Sequence, residues 1–372
     1  LRVAPLKMIR PTHEAFFVFF SYSEAGLRGF AGYFQCSNQK CLAMRSSSLI
    51  SGAIAAGVIL LGGCGSKTES MSGGAQSASE GEVSSTSSMS VGSCGDLVKS
   101  VNELKDGFTW TEGPAWDPER GRWVLSDVMG DTEYAVSPSG ELTTLREKAG
   151  YPNGHARLSD GTFVVAQHDR TINTEKGDGE GFALLYDTYE GKKLNSPNDV
   201  AVGSDDSIYF TDPPFGIQGF GPEKAESALG YSGVFKVSDG KIQLLNKDLA
   251  TPNGIGISND QSTLYISDTG TNSLYTLDLT SFQGEPIAVQ KLVELMPIEG
   301  GGEGHGPDGL RVATDGSIWA SGKGGINVVK ADGALTCSIP FPNHVANLAF
   351  GGEDDKQILV TSADKVYTIN LK

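Results

Sequence analysis

From about Val98 onward the chain alternates short apolar runs with acidic or glycine-bearing turns. The stretch Asn195–Gly216 shows the unit most fully. A Pro-Asn-Asp turn (197–199) leads into an apolar run, an acidic turn (204–206) follows, and Ile208–Thr211 is a second run. Apolar runs of this length bounded by turn residues predict two antiparallel strands joined by a tight turn. The phrase recurs. Glu112-Gly-Pro-Ala-Trp116 leads through a turn at Pro118–Gly121 to Trp123–Ser126. Asn153–Leu158 leads to Phe163–Ala166, Asn253–Ile257 to Leu264–Ser267, Asp308–Val312 to Ile318–Ser321, and Asn347–Phe350 to Ile358–Thr361. Further strands are predicted between copies at Gly233–Val237, Lys241–Leu245 and Ser273–Leu277.

The residue heading each copy is Asn, Asp or Glu. Successive heads, Glu112, Asn153, Asn198, Asn253, Asp308 and Asn347, lie 41, 45, 55, 55 and 39 residues apart. A period of roughly 40–50 residues with several short strands per unit is the mark of a β-propeller. Six copies predict an all-β, six-bladed β-propeller with four-stranded blades over residues 97–372. The competing architecture, a tandem pair of β-sandwiches, would not require a polar head in every copy.

The chain before this region reads differently. Residues 1–43 carry an aromatic patch (Phe16–Tyr22) without a sustained period, and are expected to be untranslated or unstructured. Residues 44–64 have the layout of a secretory signal: Arg45, an apolar run over Leu49–Leu61, then Leu61-Gly62-Gly63-Cys64. That ending resembles the bacterial lipoprotein signal, with Cys64 as the lipidated residue and Met44 as the start. The run is too short to span a bilayer comfortably. Residues 65–96 are rich in Ser and Gly and bury too little apolar surface to offset ordering entropy, which predicts a flexible tether. The expected protein is exported, anchored to a membrane by lipid in the periplasm or at the cell surface, and monomeric.

Composition adds exclusions. A formal net charge of −16 rules against nucleic acid as a partner, because phosphate binding needs a basic face. The 49 glycines suit a turn-rich β protein. Cys36 and Cys41 lack a second cysteine pair, which argues against a zinc site there. Cys94 and Cys337 could bridge the ends of the folded domain in an oxidising compartment, or be two unrelated thiols.

In a propeller the first strand of each blade lines the channel, so the six heads should converge at one mouth. Asn and Asp before Gly also simply make turns, but Glu112 is no turn former. Two carboxylates among amide oxygens form an oxygen cage that suits one hard divalent cation, Ca²⁺ first, with Zn²⁺, Mg²⁺ and Mn²⁺ as other occupants. A cation so held would polarise a carbonyl, with a nearby base activating water. Asp308 is one candidate base; His168 and His155 are alternatives at neutral pH. His305, in the glycine-rich loop Gly300–Gly306, reads as solvated. No Gly-x-Ser-x-Gly elbow, Walker loop or dinucleotide fingerprint competes.

Residues 97–372 resemble the senescence marker protein / gluconolactonase / luciferin-regenerating family of six-bladed propellers. The resemblance rests on Glu112-Gly-Pro-Ala-Trp116, Leu194–Val200, Tyr209–Gly216, Pro252-Asn-Gly-Ile255, Pro307-Asp-Gly-Leu310 and Asn347–Gly352, with Leu194–Gly216 similar to bacterial gluconolactonases. It implies a divalent metal held by Glu112, Asn253 and Asp308, with Asn198 beside it as substrate contact or fourth ligand. It also implies Asp308 as the proton donor and acceptor. Asn198, Asn153 and His168 are then expected to face the substrate, a small sugar lactone. One departure stands out: the mammalian branch has Arg two residues before the Asn that matches Asn198, and here that residue is Ser196. The expected activity is metal-dependent lactone hydrolysis; the alternative is a tethered, non-catalytic binding module with a structural metal.

Overall fold

A computed structural model describes residues 14–23, 26–37, 40–43, 89–90 and 92–372. The chain divides into two units, Leu1–Glu80 and Gly81–Lys372. In the first, Glu14–Ser23, Gly26–Ser37 and Lys40–Ala43 form an antiparallel three-stranded sheet. This differs from the unstructured segment expected there. The run Phe16-Phe-Val-Phe-Phe20 is rich in strand formers, and a sheet needs no alternation when propensity is this concentrated. The signal segment, Cys64 and most of the tether lie outside the described residues; its end, Gly92–Cys94, is a short 3-10 turn tied down by a disulfide rather than the flexible chain expected.

The second unit carries six four-stranded antiparallel sheets. Five blades run inner to outer in chain order, within residues 111–147, 152–186, 200–246, 252–294 and 310–340. The sixth is built from both ends of the domain. Asn347–Gly351, Gln357–Ser362 and Lys365–Leu371 provide three strands, and Val98–Asp106 supplies the outermost one. Its register runs from Leu371 opposite Val98 to Lys365 opposite Asp106. The strands expected over Gly233–Val237, Lys241–Leu245 and Ser273–Leu277 are all present.

Apolar side chains fill the wedges between blades. Between the third and fourth, Val234, Leu245, Ile255, Leu264, Ile266 and Leu277 form one buried cluster. At the seam beside the closing blade, Trp116 and Trp123 pack with ring centroids 4.5 Å apart. Gly351 permits this, since a Cβ there would lie 2.6 Å from the Trp116 ring.

Cys94 and Cys337 are joined by a disulfide, with Cα atoms 5.2 Å apart across 243 residues of sequence. The bond ties the segment leading into the closing strand to Leu335–Pro340, the outer strand of the fifth blade. Backbone and side-chain bonds support it, with the Ser338 amide donating to Ser93 Oγ at 2.9 Å. Severing it frees the lead-in to a strand that contacts only one neighbour. Cys337→Ser should therefore lower stability by about 2–4 kcal/mol. The check is a lower midpoint in urea unfolding, with a slope that rises as the unlinked denatured chain expands.

Candidate active site

The heads reach the axis by a backbone irregularity rather than by turns. In three blades two residues of the inner strand oppose one of its neighbour: Gly113–Pro114 against Leu125, Asn153–Gly154 against Ala166, and Asn253–Gly254 against Ser267. These are β-bulges, which bend a strand and re-aim its side chains. In the third and fifth blades the heads, Asn198 and Asp308, stand just before the inner strands Val200–Val202 and Leu310–Val312.

Glycine after the head lets adjacent inner strands meet backbone to backbone. The Gly154 amide donates to the Asn198 carbonyl at 2.8 Å, and the Gly254 amide to the Asp308 carbonyl at 3.0 Å. A Cβ on Gly254 would lie 2.4 Å from that same Asp308 carbonyl oxygen. Hydroxyls from second strands close the ring. Ser126 donates to the Asn153 carbonyl at 2.7 Å, Thr211 to that of Asn253 at 2.6 Å, and Ser267 to that of Asp308. The carbonyls of Asn153, Asn198, Asn253 and Asp308 are thus each held from the preceding blade.

Glu112, Asn153, Asn198, Asn253, Asp308 and His168 line one cavity of about 320 Å³, within the range of small-molecule sites. Trp110, Phe215, Gln218 and Phe220 complete its wall. Asn347, the sixth head, stays outside it, buried against Gly309 and Glu112. A groove of about 900 Å³ around Ile217, Lys224 and Lys247 is larger, but its charged side chains are exposed and do not converge.

His168 sets the polarity of one side. Its Nδ1 lies 2.8 Å from the Phe220 carbonyl, which can only accept, so Nδ1 carries the proton. Nε2 must then accept, and it does so from Asn153 Nδ2 at 2.9 Å and, more weakly, from Asn198 Nδ2 at 3.4 Å. This fixes the Asn153 amide with Oδ1 buried and unpaired. Asn253 is likewise held, Nδ2 donating to Thr269 Oγ1 at 3.1 Å, and its Oδ1 is also buried without a partner. An orphaned buried oxygen is costly unless something binds it.

Across the cavity Glu112 is 3% exposed. Burial first, then repulsion from Asp308, pushes its carboxyl well above the usual range, only partly offset by the Gly113 amide. Two crowded carboxylates plus amide oxygens are hard donors that a divalent cation would satisfy, so the residues present fit such an ion.

Asp308 has a partner not foreseen from the sequence. His344 Nε2 lies 2.9 Å from Asp308 Oδ2. The His305 backbone amide donates to His344 Nδ1 at 3.2 Å, so Nε2 bears the proton and donates to the carboxylate. Trp110 stacks on His344 with centroids 5.6 Å apart, and His305 packs edge-on at 5.5 Å. His305 itself is exposed but lines the mouth. A signal for His344 existed: it stands three residues before the head Asn347, as His305 stands three before Asp308. A second missed signal is the Asp that ends the second strand in three blades. Asp127, Asp212 and Asp268 accept backbone amides from Thr109 and Trp110, Asn195 and Ser196, and Thr251, the segments leading into heads.

His155 does not belong to this cavity. It is buried against the Gly113 carbonyl and Glu133, which excludes it as the alternative base. Ser196 is fully buried. Its hydroxyl donates to the Pro213 carbonyl and accepts from the Gly216 amide, anchoring the segment from which Phe215, Gln218 and Phe220 enter the cavity.

The fold and the cavity define a six-bladed propeller with a hard-ligand centre on its axis. Residues 110–364 match the family model described as SMP-30/Gluconolactonase/LRE-like region, and the chain belongs to this family. It is 26% identical over 299 residues to a gluconolactonase from Zymomonas mobilis, covering 74% of this chain and 83% of that one. It is similar at 26% identity to a pentonolactonase from Haloferax volcanii, covering 68% and 81%. Among solved structures, a gluconolactonase from Xanthomonas campestris superposes with a TM-score of 0.67 at 30% identity, covering 76% and 92%.

Burial depresses His168 to about 4, below its ordinary value near 6.5. Between those values the unfolded chain takes up a proton that the folded one refuses. Relative to His168→Gln, the wild-type protein should therefore lose stability as pH falls from 6.5 towards 4. Urea midpoints of both proteins at pH 7 and pH 5 check this; a constant difference would count against the buried neutral imidazole.

Proposed function

We propose that the protein hydrolyses a small sugar lactone in this cavity, with a divalent cation held by Glu112, Asn253 and Asp308 and with Asn198 beside it. The observation that carries the reading is the convergence of two buried carboxylates and two unpaired amide oxygens on one small-molecule cavity. Family membership supports it. The cation, Ca²⁺ by its hard oxygen donors, would supply polarisation of the lactone carbonyl and charge neutralisation of its oxyanion.

The side chains do the rest. Asp308 takes a proton from the attacking water as its oxygen bonds to the carbonyl carbon. It returns that proton to the ring oxygen as the C–O bond breaks, leaving a hydroxy acid. The His344 Nε2–H on Oδ2 fixes the plane of that carboxylate. Asn153 and Asn198 present their amides to the sugar, with His168 as a neutral brace behind them. Trp110, Phe215 and Phe220 offer apolar faces to the ring and limit the water around it.

Opening of glucono-1,5-lactone, followed by proton release, should require added Ca²⁺ or another divalent cation and stop with chelator. Asp308→Ala and Glu112→Gln should each lower kcat/KM by about 10²-fold or more. Metal-loaded protein that opens no lactone faster than buffer would leave the binding module as the better reading.

We further propose that the domain works outside the cytoplasm, anchored through Cys64. Support comes from the Leu61-Gly62-Gly63-Cys64 sequence and from the Cys94–Cys337 disulfide, since such bonds persist in oxidising compartments. Cys64→Ala should move the protein from the membrane fraction to the soluble one.

A further inference from the structure

Away from the cavity, three ionisable side chains meet between the first two blades. Glu133 lies on Thr132–Val136, His155 on Pro152–Arg157 and Glu175 on Thr171–Glu175. Each is 1% exposed. One ligand atom from each lies within 4.8 Å of the others.

The orientation of the imidazole is dictated. His155 Nδ1 is 2.8 Å from the Gly113 carbonyl, which can only accept, so Nδ1 carries the ring proton. Metal-binding histidines commonly donate their other nitrogen to a carbonyl in this way. Nε2 then faces the two glutamates; burial lowers the imidazole's affinity for a proton but Glu133 more than restores it, so a metal at Nε2 would take the place of a proton. It lies 3.4 Å from Glu133 Oε1. That is long for a charge-assisted hydrogen bond, which runs ~2.7–2.9 Å. It matches the edge, about 3.4 Å, of a tetrahedron with Zn–N and Zn–O bonds near 2.1 Å.

Glu175 provides the independent observation. Neither of its oxygens has a hydrogen-bond partner, although both are buried. Burial first, and then repulsion from Glu133, pushes this carboxyl up to about 7. Buried carboxylates persist when they are paired, protonated or bound to metal. The other oxygen of Glu133 accepts from Arg146 Nε at 3.0 Å, the outer contact that orients a ligating carboxylate.

We propose that Glu133, His155 and Glu175 form a second metal site that binds a divalent transition ion, Zn²⁺ by its nitrogen-and-carboxylate donor set, and pins the first blade to the second. The site is separate from the cavity and does not depend on the activity assigned there. Two carboxylates neutralise the dication, and the imidazole supplies the borderline-soft donor that a Ca²⁺ cage lacks. Because the Gly113 carbonyl receives His155 Nδ1–H, the ion would also steady the bulge beside Glu112.

The test uses the full-length chain with Glu112→Gln and Asp308→Asn together, which removes the charges of the cavity. Expressed with Zn²⁺ and gel-filtered, this protein should retain about one Zn²⁺ per chain. Adding Glu175→Gln or His155→Gln should drop the content at least tenfold, and Zn²⁺ should then no longer raise the melting temperature. X-ray absorption at the Zn edge, on the double variant alone, should show nitrogen and oxygen neighbours including one imidazole. No stoichiometric Zn²⁺ in the double variant, retention after Glu175→Gln, or absorption without an imidazole would overturn the proposal. In each case the cluster is a proton-held ion pair.

Discussion

Everything at the centre of this molecule depends on how closely neighbouring inner strands can approach. Six strands around one axis must touch their neighbours near the mouth, and after Glu112, Asn153 and Asn253 a Cβ would collide with the next strand's backbone. Gly154 and Gly254 remove that obstacle and convert the contact into a hydrogen bond. Hydroxyls of Ser126, Thr211 and Ser267 take the carbonyls that remain. The backbone at these heads is therefore clamped, and each of Asn153, Asn253 and Asp308 spends only part of its side chain on support, through His168, Thr269 and His344. The Asn153 and Asn253 amide oxygens stay unpaired and fixed in place, which is what preorganisation requires.

The cavity is asymmetric in charge because of this arrangement. One side carries Glu112 and Asp308; the other carries Asn153, Asn198 and the neutral His168. A histidine that charged readily would have drawn the carboxylates across the cavity. Burial keeps it uncharged, and the Phe220 carbonyl fixes its tautomer. Direction then passes from a backbone carbonyl, through the imidazole, to the orientation of the Asn153 amide. At the opposite wall His305 and His344 play a similar directing part towards Asp308.

The repeat was legible because the head residue and the turn after it recur at nearly fixed offsets, so the blade number and the converging residues followed from spacing. The reason for the Asn-Gly pairing did not follow. Local turn chemistry and a bulge between close-packed strands use the same two residues, and only the neighbouring blade distinguishes them. His344 is no head and so carries no repeat signal of its own, although its offset from Asn347 repeats that of His305 from Asp308. Ser196 could be recognised as a departure, but its burial under Pro213 and Gly216 depends on a segment with no counterpart in other blades. Glu133, His155 and Glu175 come from three strands of two blades, a juxtaposition no single repeat contains.

The closing blade has a consequence for how the chain comes to be made. Val98–Asp106 is synthesised first among the strands of the domain, yet its partner is Lys365–Leu371, at the far end. Until Lys365–Leu371 is in place, the first strand has an unpaired edge and the ring stays open. Blades one to five can form in order as they appear, since each is contiguous in sequence. Closure therefore waits on blade six, and it is a contact of very high sequence separation, the slow kind. A chain cleaved before Lys365 would leave a strand edge exposed to pairing with another copy.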